Sequence, residues 1–130
     1  MPTDIDIEFL KNALIETNQK FVGPHLRKAL AIFVEDEKGV RIGGISGQTY
    51  GKWLSIDYLW VAEQARGLKL GSHLLVSMEE AAKERGCCNA QLDTFSFQAR
   101  PFYEKHGYQL QMTLLDYPET HERFYLTKQL

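Results

Sequence analysis

The chain has 130 residues, 44% of them hydrophobic and 25% charged, enough for one folded domain that needs no disulfide or metal staple. Fifteen Lys+Arg against 17 Asp+Glu leave a formal net charge of −2, which excludes the basic excess of a sequence-blind nucleic-acid or membrane-surface binder. The N-terminus has no signal-peptide pattern, and the longest apolar run, Ala29 to Val34, is far below the ~20 residues that cross a bilayer. These features predict one soluble, cytoplasmic domain over residues 1–130.

From Ile5 to about Lys20, the apolar residues Ile7, Leu10, Leu14 and Phe21 recur at helical spacing, with Asp4 or Asp6 as the expected cap. Gly23-Pro24 signals a loop. Three strands follow. Ala29 to Glu35 is a short apolar run, and Asp36-Glu37-Lys38-Gly39 forms a turn. Val40 to Tyr50 holds Gly43, Gly44 and Gly47, which mark a bulge or a close backbone approach. Gly51 then turns the chain into Trp53 to Val61. The three segments read as an antiparallel meander.

The period then changes. Leu70, Leu74, Leu75, Met78, Ala81 and Ala82 trace one stripe of a helix over Leu70 to Arg85. Glu79 and Lys83 are spaced as an i,i+4 pair for its opposite face, and Gly86 stops it. Cys87 and Cys88 are too close to bridge and read as small buried residues at the start of a strand. Asn89 to Thr94 is that strand. Ala99 to His106 makes a short helix, with Pro101 confined to its first turn and Gly107 ending it. Tyr108 to Leu115 and Arg123 to Thr127 are the last strands, a hairpin around Pro118. His25, His73, His106 and His121 are scattered without ligand spacing, so no metal is expected. Strand, helix and strand from Trp53 to Thr94 form a βαβ unit with parallel strands, making the whole a mixed α/β fold.

The turn from Val61 to Ser72 carries the chemistry. A strand that enters a glycine-containing loop and then a helix leaves backbone N–H groups unpaired at the positive end of the helix dipole. Gly67 and Gly71 let a ligand come close, and Arg66 and Lys69 add charge, so a phosphate or diphosphate is the natural guest. The segment lacks the lysine of GxxxxGK[ST] and is not GxGxxG.

Arg66-Gly67-Leu68-Lys69-Leu70-Gly71 resembles the [QR]-x-x-G-x-[GA] acyl-CoA motif of the GNAT superfamily of N-acetyltransferases. Ala99-Arg100-Pro101-Phe102-Tyr103-Glu104-Lys105-His106-Gly107-Tyr108 resembles the A-x-x-F-Y-E-K-x-G-[FY] signature of the same superfamily. The resemblance implies acetyl transfer from acetyl-CoA to a primary amine by direct attack in a ternary complex. The acceptor would be a small molecule or a lysine or N-terminal amine of a protein. Backbone amides from Gln64 through Arg66, Gly67, Leu68, Lys69, Leu70 and Gly71 to Ser72 would hold the diphosphate. Leu59, Trp60 and Val61 would leave the neighbouring strand to admit the pantetheine arm, with a main-chain N–H near Leu59 facing the oxyanion.

Tyr103 is the expected general acid, because a phenol with pKa ~10 can protonate a departing thiolate. Phe102 beside it is assigned to the core. Asp57 is the expected base, with Asp93 left to satisfy loop N–H groups. Ile5 to Arg27 would roof the acceptor side. Two positions depart from the family pattern. Lys69 replaces a glycine, which a negative φ would accommodate, and Ser96 replaces an asparagine near the pantetheine arm. Two copies would pair through the last strands. The competing reading is a non-catalytic acyl-CoA-binding module on the same fold.

Overall fold

The computed structural model describes residues 1–23 and 26–130. Pro24 of the expected loop, and His25, lie outside the described residues. Helix α1 spans Asp4–Asn18. Its cap is Thr3 rather than Asp4 or Asp6: the Thr3 hydroxyl accepts the Asp6 N–H at 3.2 Å, and the Asp6 carboxylate accepts the Thr3 N–H at 2.8 Å. A hydroxyl at the cap leaves Asp6 free to complete this reciprocal pair from the third helical position. Every residue of α1 is exposed, so the helix stands clear instead of roofing the chain's own acceptor side.

Among the described residues, six strands form one sheet: β1 (Arg27–Glu35), β2 (Arg41–Tyr50), β3 (Trp53–Val61), β4 (Asn89–Phe95), β5 (Gln109–Leu114) and β6 (Arg123–Gln129), in the order β1-β2-β3-β4-β6-β5. The first three are antiparallel neighbours, β3 and β4 are parallel, and β6 lies antiparallel to both β4 and β5. The expected meander, βαβ junction and closing hairpin are all present. Helix α2 (Leu70–Glu84) makes the crossover, and α3 (Arg100–Lys105) follows β4 with Pro101 in its first turn.

Leu74, Leu75, Met78 and Ala82 of α2 pack on Ile45, Leu54, Ile56 and Leu126 of the sheet as one core. Glu79 belongs to this buried side, not to the solvent face expected of it. Its carboxylate takes the Tyr108 hydroxyl at 2.7 Å and the Lys128 ammonium at 2.9 and 3.0 Å, while Lys83 pairs with Glu80 instead. The i,i+4 rule considers one helix alone, whereas Lys128 arrives from β6 with a full charge for a carboxylate at the edge of the stripe. Cys87 is buried as expected, but Cys88 is exposed; both are free thiols.

Gly47 sets the path of β3. The register between β2 and β3 slips there: Ser46 faces Tyr58 and Gly47 faces Ile56, so Asp57 is an extra, bulged residue on β3. A Cβ on Gly47 would collide with the Ser55 carbonyl oxygen, so only glycine allows this approach.

Candidate active site

Pairing between β3 and β4 begins at Trp53 with Asn89, ends at Ile56 with Leu92, and stops there. Beyond that point β3 stays with β2, from Tyr58 to Val61, and β4 stays with β6, from Asp93 to Phe95. The two parallel strands therefore fork, and the bulge at Asp57 turns β3 at the point where it leaves. Asp57 and Asp93 are the first residues past the last pair, one on each arm.

The fork opens a cavity of about 1190 Å³, larger than the ~300–1,000 Å³ of ordinary ligand pockets. One wall is residues 57–61, the other is residues 93–95 with Arg123, and α3 contributes Phe102 and Tyr103. The far end is the loop entering α2. Its one-turn helix, Glu63–Ala65, leads to Gly67 at φ +89° and Lys69 at φ +60°. Lys69 thus adopts the left-handed conformation, not the negative φ expected. It keeps the glycine-like turn of the family motif at a steric cost its side chain bears.

The first amide bonded inside α2 is that of His73, to the Lys69 carbonyl at 3.1 Å, and among the described residues no side chain caps the helix. The amides of Leu70, Gly71 and Ser72 are left for a ligand, with the helix dipole behind them. The Ser72 hydroxyl is engaged elsewhere, 3.0 Å from His106 Nε2, which fastens α3 to the start of α2. Gly71 serves the same junction, since a Cβ there would lie 3.4 Å from the Phe102 ring.

Of the residues singled out in the sequence, Asp57, Leu59, Trp60, Val61, Arg66, Gly67, Lys69, Leu70, Gly71, Ser72 and Tyr103 line this one cavity. Gln64, Leu68 and Ser96 do not line it. Gln64 and Leu68 are exposed on the outside of the loop. The Ser96 hydroxyl accepts the Glu122 N–H at 3.0 Å and lies 3.4 Å from His121 Nδ1, tying the turn after β4 to the β5–β6 loop. Phe102 and Tyr103 both line the cavity and are both half-buried, so the core role is not confined to Phe102. Burial, and then the charge of Asp93, push the Tyr103 phenol above its ordinary value, so it holds its proton at neutral pH.

Asp93 does not satisfy loop amides; its carboxylate takes Arg123 Nε at 2.9 Å. Arg123 carries no mark in the sequence beyond being an arginine that opens a strand among aromatics. Its guanidinium also donates to the Tyr117 hydroxyl at 2.8 Å and lies over the Phe95, Tyr117 and Tyr125 rings at 5.0–5.6 Å. Ala65, Thr94, Phe95, Gln98 and Ala99 also line the cavity, and of the last four only Ala99 belongs to a motif quoted above. Among the described residues no cluster of three or more His, Cys, Asp or Glu could hold a metal ion, and no helix is long and apolar enough to cross a membrane.

The family model that matches residues 5–108 is that of the acetyltransferase (GNAT) family. The chain belongs to the GNAT acetyltransferase family. It is 40% identical to blasticidin-S acetyltransferase of Streptomyces morookaense over 77% of this chain and 74% of that protein. The crystal structure of an acetyltransferase from Bacillus cereus, 38% identical, aligns with 100% of this chain and 95% of its own at a TM-score of 0.90. A Bacillus anthracis protein described as a streptothricin acetyltransferase, determined in complex with acetyl coenzyme A, shares the fold. It is 19% identical, with a TM-score of 0.69 over 78% of this chain and 62% of its own.

Proposed function

We propose that this GNAT member transfers the acetyl group of acetyl-CoA to the primary amine of a small, cationic molecule by direct attack in a ternary complex. The observation that carries the reading is the fork between β3 and β4, set directly beside the unpaired amides that open α2. The acetyl-CoA held by a protein of the same fold supports the donor, and a relative named for acetylating an antibiotic supports a small acceptor.

The amides of residues 70–72, with Arg66 and Lys69, take the diphosphate. Past the fork, the edge of β3 at residues 59–61 has N–H and C=O groups that β4 does not use, and the amides of the pantetheine arm pair with them. The amine nitrogen attacks the thioester carbonyl, forming the C–N bond; a main-chain N–H near Leu59 stabilises the oxyanion until the C–S bond breaks. Asp57, directly or through water, takes the proton the ammonium must lose. Tyr103 delivers a proton to the departing thiolate. Asp57 on a bulge, exposed and close to Tyr58 and Trp60, gives a cationic amine one carboxylate and two aromatic faces. The free thiols Cys87 and Cys88 suit a reducing, cytoplasmic compartment.

CoA release against a panel of amines tests the reading, with Tyr103→Phe alongside. The expected result is turnover with at least one small amine. The variant should keep donor KM and lose ~10²–10⁴-fold in kcat, the usual contribution of a positioned acid. Tight CoA binding with no turnover across the panel would favour the non-catalytic module.

A further inference from the structure

We propose that two copies of this chain pair by laying α1 of each across the uncovered face of the other's sheet, where the helix completes the acceptor side of the partner's cavity. The role at the acceptor side rests on the acetyl-transfer reading; the pairing itself does not.

The first observation is α1. Ile7, Leu10 and Leu14 lie on one stripe and are 56%, 62% and 60% exposed, while Phe9, 70% exposed, projects from another side of the helix. A helix of this length is marginal in water without something packed on its apolar side.

The second observation is the sheet. Core residues of β1–β3 face α2, and the register puts Phe33, Gly44 and Trp60 in one row and Ala31, Ser46 and Tyr58 in the next, on the opposite face. The Phe33 ring sits on Gly44, and Phe33, Tyr58 and Trp60 are 48%, 76% and 54% exposed. They line a shallow groove of about 230 Å³ that shares Tyr58 and Trp60 with the main cavity. Arg41, 3.8 Å over the Phe33 ring, borders this groove, while α1 carries Asp4, Asp6, Glu8 and Glu16 against Lys11 alone.

An apolar, acidic helix and an apolar groove with a basic edge are thus both unpartnered on one polypeptide. A second copy supplies each with the other, in the reciprocal manner of a two-fold pair. Aromatic side chains bury ~150–250 Å² each, so Phe33, Tyr58 and Trp60, half-covered in both copies, remove about 600 Å². Ile7, Leu10 and Leu14 of both copies bring the total to about 1,200 Å², the lower end of a specific interface. Because Tyr58 and Trp60 belong to both hollows, the incoming helix becomes a wall for the acceptor.

Sedimentation equilibrium and Trp60 emission in a Trp53→Phe background test this on the full chain. The expected mass is twice the 15.0 kDa of one chain. Leu10→Glu and, separately, Phe33→Ser should each weaken association by roughly 30-fold or more and red-shift Trp60. Both positions are exposed in the single chain, so a far-ultraviolet spectrum unchanged in its strand content reports that the sheet still folds. A wild-type monomer, or a pair split by Met112→Glu on β5 but not by Leu10→Glu, overturns the proposal. Where association is lost, KM for the amine should rise while CoA binding by calorimetry is unchanged. If association responds as stated but no amine is ever turned over, the pairing stands and only the acetyl-transfer reading fails.

Discussion

Lys69→Gly should make this protein more stable and a poorer binder of CoA. Lys69 holds φ +60° and ψ +25°, a conformation that costs an L-residue with a side chain about 1–2 kcal/mol. Glycine removes that cost but adds about 0.5–1 kcal/mol of backbone freedom to the unfolded chain. The net gain is about 0.5–1 kcal/mol, a rise of about 2–4 °C in Tm for a chain of this size. The ammonium, which lines the cavity beside the unpaired amides, is worth about 1 kcal/mol as an exposed partner for a diphosphate, or about five-fold in Kd. Differential scanning calorimetry reads the first effect, and titration calorimetry with CoA at low and high salt reads the second, which should shrink as salt screens the pair. Lys69→Ala separates them, because it loses the charge but keeps the backbone strain: CoA binding should weaken as in the glycine variant without a gain in Tm. A glycine variant no more stable than the alanine variant would refute the argument from strain.

Lys128→Met should cost about 3–5 kcal/mol in urea unfolding, because it strands the buried Glu79 carboxylate with the Tyr108 hydroxyl alone. Burial, and then Glu79, push the Tyr108 phenol well above the ordinary phenol value of ~10. The unfolded chain therefore ionises this group first, and stability present below pH ~10 is lost as pH rises above it; Tyr108→Phe should flatten that slope in pH-dependent unfolding. Gly47→Val should cost more than the usual ~1–3 kcal/mol of overpacking, since its Cβ meets backbone, and activity should fall with it as the bulge at Asp57 shifts. Asp57→Asn should lower kcat/KM for the amine and leave the Kd for CoA unchanged, as measured by steady-state kinetics and calorimetry.

The strands around the fork are legible in the sequence because each carries its own signal. Aromatic and β-branched residues run from Trp53 to Val61, a single apolar stripe marks α2, and the glycines of its entry loop fix where the chain turns. The features that sequence patterns misplace depend on partners distant along the chain. Glu79 looks solvent-facing until β6 brings Lys128 to it, and Arg123 looks ordinary until β6 sets it against Asp93. Ser96, expected near the pantetheine arm from the resemblance alone, instead has its hydroxyl claimed by the β5–β6 loop. The Thr3-x-x-Asp6 box is a local signal, hidden only by the acidic residues that compete with Thr3 for the cap. The φ of Lys69 follows from the turn rather than from the residue, and no pattern of side chains reports it.

On the proposed reading, the end of the cavity that takes the diphosphate rests on main chain: unbonded amides at the start of a helix and a strand edge released by its neighbour. Apart from Arg66, Lys69 and the glycines of the loop, such a surface is set by the backbone more than by the side chains mounted on it. The opposite end depends on exposed carboxylate, indole and phenol groups that can be exchanged one at a time. Selection or design can therefore rewrite what the enzyme acetylates while leaving untouched the apparatus that brings the acetyl group to it.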